Sequence, residues 1–491
     1  MMKRIAVLII FVTCLNGFGQ SYAKPYAPNW ESLSKYDETA EWFKDAKFGI
    51  FAHWGVMSVP AYGNDWYPRN MHIEGSPEYE HHLSMYGYPS KFGYHDFVPL
   101  FKAEKFDADE WAELFKKAGA KFAGLVAEHH DGWSNWDSKI NPWNSKAMGP
   151  RKDIMNELGK AIHSREMKFV ATFHKERNLQ VNRYKPGEWK NDISYFPYNP
   201  KMPTSSNDPL LAQLYGNIPA DKFYENWYGE LKELIDNYSP DLIYFDGLMS
   251  KIPEKFKQEF IAYYFNNALK ENKQVVITHK EGELPKSVSI EDLEKGRMNA
   301  ITKDFWLTDE TISTGSWSYT EHLTLKSANE IIDLLADIIS KNGVLMLNVS
   351  PMANGIIPKD QQDMLLNIGT WLEVNGEAVY GSRAFTVFGE GPTRQEYSGM
   401  FMKKITYGAQ DIRYTTKGDT VYAIVLGWPG ENVPVVLSAF GTNKKVPKVK
   451  KVSILGNDED IVFTQDAEGI RINTPPVKVD DKAYVIKLEV K

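Results

Sequence analysis

A (β/α)8-like barrel, of the TIM type with irregular segments, followed by a C-terminal β-sandwich is the fold the sequence predicts. Three apolar runs end in ionisable residues: Phe48–Ala52 before His53, Phe122–Ala127 before Glu128-His129-His130-Asp131, and Asp241–Phe245 before Asp246-Gly247. Parallel barrel strands present their C-terminal ends to one face, so these groups are expected to share one rim. Helical and strand patterns alternate from about residue 38 to 380, and past Ser382 the chain changes to short β-rich runs.

The elements follow in order. Met1-Met2-Lys3-Arg4, an apolar run from Ile5 to Phe11 and small or polar residues up to Ser21-Tyr22-Ala23 have the three-part layout of a secretory signal, residues 1–23. The mature protein is therefore expected to be exported, to the periplasm or beyond. Cys14, the only cysteine, lies in this leader, so processing would leave no disulfide and no thiol ligand. A lipoprotein acylated at Cys14 is the alternative, but Phe11-Val12-Thr13 matches the small-residue box poorly.

The barrel domain is expected over residues 30–382. Its first strand is at Phe48, and a helix begins at Asp107-Ala-Asp-Glu110, a capping-box pattern, with Trp111, Leu114, Phe115 and Ala118 on one apolar face. The strand Phe122–Ala127 precedes a helix near Arg151–Glu166 and the strand Lys168–Phe173. A helix near Glu225–Tyr238 leads into the strand Asp241–Phe245, and a helix across Glu254–Glu271 into the strand Gln274–Ile277. The helix Ser327–Ser340 and the strand Val344–Val349 follow. That gives six clear strands, two short of a complete barrel. A last helix, Lys359–Val374, is expected to end in a left-handed cap at Asn375-Gly376. The sandwich is expected over residues 383–491, with two strands around the Lys417-Gly-Asp419 turn and further strands at Val449–Leu455, Ile470–Ile472 and Ala483–Val490.

A hydrophobic fraction of 43% over 491 residues supplies real cores, and a net charge of −7 gives no electrostatic reason for a nucleic acid or an anionic membrane as partner. No stretch after the leader approaches the ~20 apolar residues of a membrane span. A neutral, polar substrate fits better.

Asp246 reads either as a helix or turn cap or as a catalytic carboxylate at a barrel rim. His129 and His130 are adjacent, and neighbours on an extended strand point to opposite faces, so they are not expected to share a metal. No metal spacing such as HExxH occurs. Imidazoles that hydrogen-bond sugar hydroxyls are the better role for them and for His53. Trp54, Trp66, Trp133, Trp136 and Trp143 fall in or after the rim segments, and indole faces pack on the C–H faces of sugar rings.

At these residues the sequence resembles the α-L-fucosidases of glycoside hydrolase family 29. The matching stretches include Trp42-Phe-Lys-Asp-Ala-Lys-Phe-Gly-Ile-Phe-Ala-His-Trp-Gly55, Asp65-Trp-Tyr-Pro-Arg-Asn-Met71 and His129-His-Asp-Gly-Trp-Ser-Asn-Trp-Asp137. Trp143–Asp153, Asp241–Gly247, Ser340–Pro351 and Trp371–Gly381 continue it in order, and Asp411–Asp419 resembles the start of the family's C-terminal β-domain. The resemblance implies a retaining hydrolase that removes α-linked L-fucose from oligosaccharides or polysaccharides without a cofactor. By motif, Asp246 is the implied nucleophile, while His53, Trp66, His129 and His130 hold the fucose.

For the general acid/base, Asp292-Leu-Glu294-Lys-Gly296 resembles the Asp-x-Glu-Arg-Gly segment of one branch and points to Glu294; Glu310 and Asp309 are the fallbacks. The Trp-Glu pair of other members would put its glutamate at Leu307. Asp65 replaces a Glu of many relatives, Lys280 replaces an Arg of some, and Phe173 with His174 stand where a Tyr-Ser-x-x-Glu-Trp pattern is usual. These four, with Trp317, complete the implied substrate-binding set. A carbohydrate-binding relative without turnover and a hydrolase of a related glycone such as α-L-galactose are the alternatives. The sequence assigns no oligomeric state.

Overall fold

The computed structural model describes residues 25–36, 39–180, 194–459, 461–475, 478 and 480–490. The leader 1–23, with Cys14, lies outside the described residues. Eight parallel strands make the central sheet: β1 Phe48–Ala52, β2 Phe122–Glu128, β3 Lys168–Phe173, β4 Leu242–Phe245, β5 Val276–His279, β6 Ile290–Glu291, β7 Trp306–Thr311 and β8 Gly343–Val349. They run in the order β6-β5-β4-β3-β2-β1-β8-β7. The edges β6 and β7 meet through an Asp292–Leu307 bridge, with Leu293 N–H donating to the Leu307 carbonyl at 3.0 Å and Lys295 N–H to that of Asp309 at 2.9 Å. The sheet is thus nearly closed into a barrel.

The two strands absent from the sequence reading are β6 and β7. β6 has only two paired residues, and β7 reads Trp-Leu-Thr-Asp-Glu-Thr, whose polar half is buried at the barrel mouth. Neither carries the apolar run that marks a buried strand.

Side chains alternate along each strand. Phe51, Phe122, Val170, Leu242, Tyr244, Val276, Leu307, Val344 and Met346 fill the interior, while Ile50, Leu125, Phe169, Phe173, Ile243, Phe245, Leu345 and Leu347 pack with the surrounding helices. The helix Ala108–Lys117 starts where expected, with the Asp107 carboxylate accepting from the backbone N–H groups of Asp109 and Glu110. The cap at Gly376 differs from expectation. Gly376 has φ −61°, and the helix Lys359–Asn375 passes directly into a 3-10 turn, Gly376–Ala378.

Beyond the barrel, β9 Arg383–Glu390, β10 Ile412–Lys417, β11 Thr420–Val425, β13 Val449–Ile454 and β16 Tyr484–Val490 form a five-stranded antiparallel sheet. β12 Pro434–Leu437, β14 Phe463–Gln465 and β15 Ile470–Asn473 form a second, three-stranded one. The Lys417–Thr420 hairpin is where the sequence places it. A separate apolar cluster including Tyr414, Val421, Leu437, Phe440 and Leu488 lies between these sheets. Tyr422, Ile424, Leu426 and Val485 instead join the barrel's outer core, where the Trp371 indole N–H donates to the Ala483 carbonyl at 2.6 Å.

Candidate active site

Strand alternation decides which residues face the cavity at the C-terminal rim. Phe51 points inward, so His53 does too; Phe173 and Phe245 point outward, so His174 and Asp246 point inward. β2 breaks this period, because its register with β3 shifts between Val126 and Glu128. The irregularity turns Glu128 outward to the Lys175 ammonium at 2.6 Å and releases His129 into the cavity. His53, Asp65, Trp66, His129, His174, Asp246, Lys280, Glu294, Asp309 and Trp317 line that cavity.

At its floor, one cation organises four carboxylates. The Lys280 ammonium donates to Asp246 Oδ1 and to Glu294 Oε2, the latter at 2.5 Å, and lies 3.8 Å from Asp309 and 4.0 Å from Asp292. Asp246 Oδ2 also sits 3.1 Å from His130 Nε2 and 3.5 Å from His174 Nδ1. Burial pushes the Asp246 carboxyl up, but Lys280 and then His174 and His130 outweigh it and hold its pKa well below the ordinary range. Glu294 takes the opposite course. Burial, with Asp309 and Asp246 nearby, raises it to about 7 against the pull of Lys280. Burial and then Asp309 raise Asp292 well above the usual carboxylate range. The Tyr244 hydroxyl donates toward Asp309 at 2.9 Å and Asp292 at 3.2 Å. The site therefore pairs a carboxylate held ionised with one held toward its protonated form.

Imidazoles form one wall. Asn348 Nδ2 donates to the Trp317 carbonyl at 2.7 Å, which turns Oδ1 toward His53 Nδ1 at 2.8 Å. His53 thus carries its proton on Nδ1 and keeps Nε2 as an acceptor. Burial lowers its pKa to about 4. His129 and His174 are both also lowered by burial; among the described residues His129 Nδ1 and both His174 nitrogens have no hydrogen-bond partner, His174 Nδ1 only facing Asp246 Oδ2 at 3.5 Å. His130 faces acceptors at both nitrogens, since Nδ1 donates to the His174 carbonyl and Nε2 meets Asp246. That arrangement favours the imidazolium, while burial, the larger effect, lowers its pKa.

Aromatic rings stand beside the imidazoles, with Trp317 5.2 Å from His53 and Tyr195 5.9 Å from His129. The Trp66 ring stands 5.4 Å from Tyr195 and has the Arg177 guanidinium 5.4 Å from one face. Trp317 N–H reaches Asp65 Oδ1 at 3.3 Å, and burial raises the Asp65 carboxyl to about 6.

Several sequence expectations are corrected here. His129 and His130 do not diverge: the strand ends at Glu128, the chain bends, and the two rings lie 4.6 Å apart on one side. Phe173 does not reach the cavity, being fully buried against Trp136, Trp227 and Phe245. Of the five rim tryptophans only Trp66 lines it. Trp54, Trp133, Trp136 and Trp143 are core residues whose indole N–H groups are satisfied within the protein. Glu310 turns to the far side, accepting from Lys326 at 3.1 Å, whereas Asp309 is inside. Three ring nitrogens from His53, His129 and His174 lie within 4.8 Å of one another, as do those of His130 and His174 with an Asp246 oxygen. These are the residues that could hold a cation, but His53, His129, His174 and Asp246 also line the cavity, where polar hydroxyls would fit, and His130 does not.

The profile described as Alpha-L-fucosidase matches residues 15–377, and that described as Alpha-L-fucosidase C-terminal domain matches 407–489. The chain belongs to the α-L-fucosidase family. It is 32% identical to the tissue alpha-L-fucosidase of Rattus norvegicus over 480 residues, 94% of this chain and 92% of that one. Against the tissue alpha-L-fucosidase of Homo sapiens it is 31% identical over 479 residues, covering 94% and 91%. Among solved structures, the Thermotoga maritima alpha-fucosidase in complex with fucose superposes with TM-score 0.73 at 27% identity, covering 94% of this chain and all of that one. As a member of this family the chain combines the barrel with the C-terminal sheets in the order those two profiles give.

Several residues of this fucosidase-family site escape motif reading. Tyr195, whose hydroxyl donates to the Asp65 carbonyl at 2.7 Å, sits next to Trp66 and His129. Asn348 on β8 and Tyr244 on β4 act from behind the lining, on His53 and on Asp309 with Asp292, and Met400 and Phe401 arrive from the β9–β10 connection. Asn348 and Tyr244 alone were accessible from the sequence, as residues at or near strand ends in the β8 and β4 runs. No helix among the described residues is long and apolar enough to cross a membrane.

Proposed function

We propose that the protein is an exo-acting retaining α-L-fucosidase that releases α-linked L-fucose from oligosaccharides or polysaccharides, with Asp246 as nucleophile and Glu294 as general acid/base. The observation that carries this reading is the single Lys280 ammonium touching both carboxylates. Two oxygens bonded to one ammonium lie no more than about 6 Å apart, which fits the ~5–5.5 Å of retaining pairs and not the ~6.5–9.5 Å of inverting ones. The opposite pKa displacements support these roles, with the ionised carboxylate attacking and the carboxyl near 7 donating.

In the first step an Asp246 oxygen bonds to the anomeric carbon while the glycosidic C–O bond breaks and Glu294 gives its proton to the departing oxygen. Glu294, now a carboxylate, next takes a proton from water as that water displaces Asp246. Two inversions restore the α-anomer. His53, His129 and His174 supply hydrogen bonds to the ring hydroxyls, Trp66 and Trp317 its apolar contacts, and Asp65 and Lys280 its polar edge, while His130, its nitrogens taken by the His174 carbonyl and Asp246 and its side chain outside the cavity lining, positions the nucleophile instead of holding the sugar. A closed pocket lined from many strand ends suits one terminal sugar, hence exo action. The barrel is assigned to residues 30–382, the sandwich to 383–491, and residues 1–23 to an export signal.

The test is Asp246→Gly. Turnover of an aryl α-L-fucoside is expected to fall by about 10⁴ or more, and added azide to restore it as the β-azide. Rescue that yields the α-azide, or full activity without Asp246, would overturn the assignment. A wild-type protein that binds fucose but turns over no α-L-fucoside would make it a carbohydrate-binding relative, and preference for an α-L-galactoside would change the glycone.

A further inference from the structure

The connection between β9 and β10, residues 391–411, is long for an antiparallel pair and does not stay with its own sheet. It crosses to the barrel mouth and pairs with the segment that carries Glu294. Arg297 and Gly399 exchange backbone hydrogen bonds at 3.0 and 3.1 Å, Phe401 N–H donates to the Glu294 carbonyl at 2.8 Å, and Met402 N–H to the Lys295 carbonyl at 2.9 Å. The approach needs glycine, for a Cβ on Gly296 would stand 2.3 Å from the Gly399 carbonyl oxygen.

This clasp places Phe401 at the cavity, 63% exposed, with φ 50°. A large side chain in the left-handed region is disfavoured, and an exposed phenyl ring there gains nothing from burial in the free protein. The wall beneath is polar: three imidazoles, Asp246, Lys280 and Glu294. Phe401 and Met400 are apolar and adjoin Glu294, the group that would protonate the departing oxygen.

Resting on the fucosidase reading above, we propose that Phe401 is the platform of the leaving-group subsite, stacking on the apolar face of the sugar to which fucose is attached. The protein is thereby selective for a fucose carried on a pyranose rather than on a small leaving group. The general acid sits beside the glycosidic oxygen, so the residue paired to its backbone flanks the next ring. The C-terminal region thus contributes to specificity through the β9–β10 loop.

Two substrates separate this from a structural role: an α-L-fucosyl disaccharide, which fills the subsite, and α-L-fucosyl fluoride, which leaves it empty. The readout is the ratio of their kcat/KM values. Phe401→Ala is expected to lower the disaccharide-to-fluoride ratio about tenfold, mostly through a higher disaccharide KM, and Phe401→Tyr to keep it within about twofold. An unchanged ratio in Phe401→Ala would overturn the inference, as would an equal fall in Phe401→Tyr. Failure of the wild type to hydrolyse either substrate would instead overturn the fucosidase reading.

Discussion

Removing the Lys280 ammonium is the sharpest test of how the site divides its protons. Lys280→Met leaves four carboxylates, Asp246, Glu294, Asp292 and Asp309, without the cation that lies within 4.0 Å of each. A unit charge at 4 Å in surroundings of effective dielectric ~20 is worth about 4 kcal/mol, or roughly three pKa units. Water entering the vacated space recovers part of this, so a rise of about one to two units is expected for each limb of the kcat/KM profile. The sign follows from the roles. Turnover needs Asp246 ionised and Glu294 protonated, so activity is lost as pH falls through the first pKa and as it rises through the second.

In the wild type the alkaline limb is expected near 7 and the acid limb well below the ordinary carboxylate range. In Lys280→Met both limbs move alkaline together, and Lys280→Arg, which keeps the charge, holds them near their original places. The assay is a pH–rate profile with a substrate whose leaving group needs protonation, and melting curves confirm the fold. Limbs that stay in place in Lys280→Met would refute the reasoning, because the cation would then not set the proton balance.

Replacing Glu294 by Gln is expected to cost about 10³ in kcat/KM on a disaccharide but far less on an activated aryl fucoside, with Asp309→Asn showing no such leaving-group dependence; equal losses on both substrates for Glu294→Gln would remove it as the acid. Asn348→Leu takes away the acceptor for His53 Nδ1, so kcat/KM should fall by roughly tenfold or more with a stability loss of about 1–3 kcal/mol, read by kinetics and thermal melting. A chelator is expected to leave turnover unchanged; inactivation reversed by a divalent cation would mean that His53, His129 and His174 hold a metal rather than hydroxyls.

The barrel was legible because its strongest strands are apolar runs that end in chemistry. Phe173 was expected in the substrate-binding set beside His174, but the same alternation that buries Phe245 and aims Asp246 at the cavity turns Phe173 away from it. The tryptophans misled for another reason. A large indole completes a core as well as it stacks on a sugar, and residue type does not distinguish the two. The adjacent histidines misled because β2 ends at Glu128 and the chain bends there, so the alternation of an extended strand no longer applies to His129 and His130.

The sequence by itself determined the parallel barrel, the β-rich C-terminal region, and the placement of His53, His129 and Asp246 in rim segments, since these depend on local periodicity and on residue types at fixed spacings; Glu294 was pointed to only by the family resemblance. Tertiary structure alone decided that Lys280 joins the two carboxylates, that Glu310 faces away while Asp309 faces in, and that Phe401 arrives from a different sheet more than a hundred residues beyond Lys280. Proton affinities and pocket walls are set by through-space distances between segments far apart in the chain, and no local pattern encodes those distances.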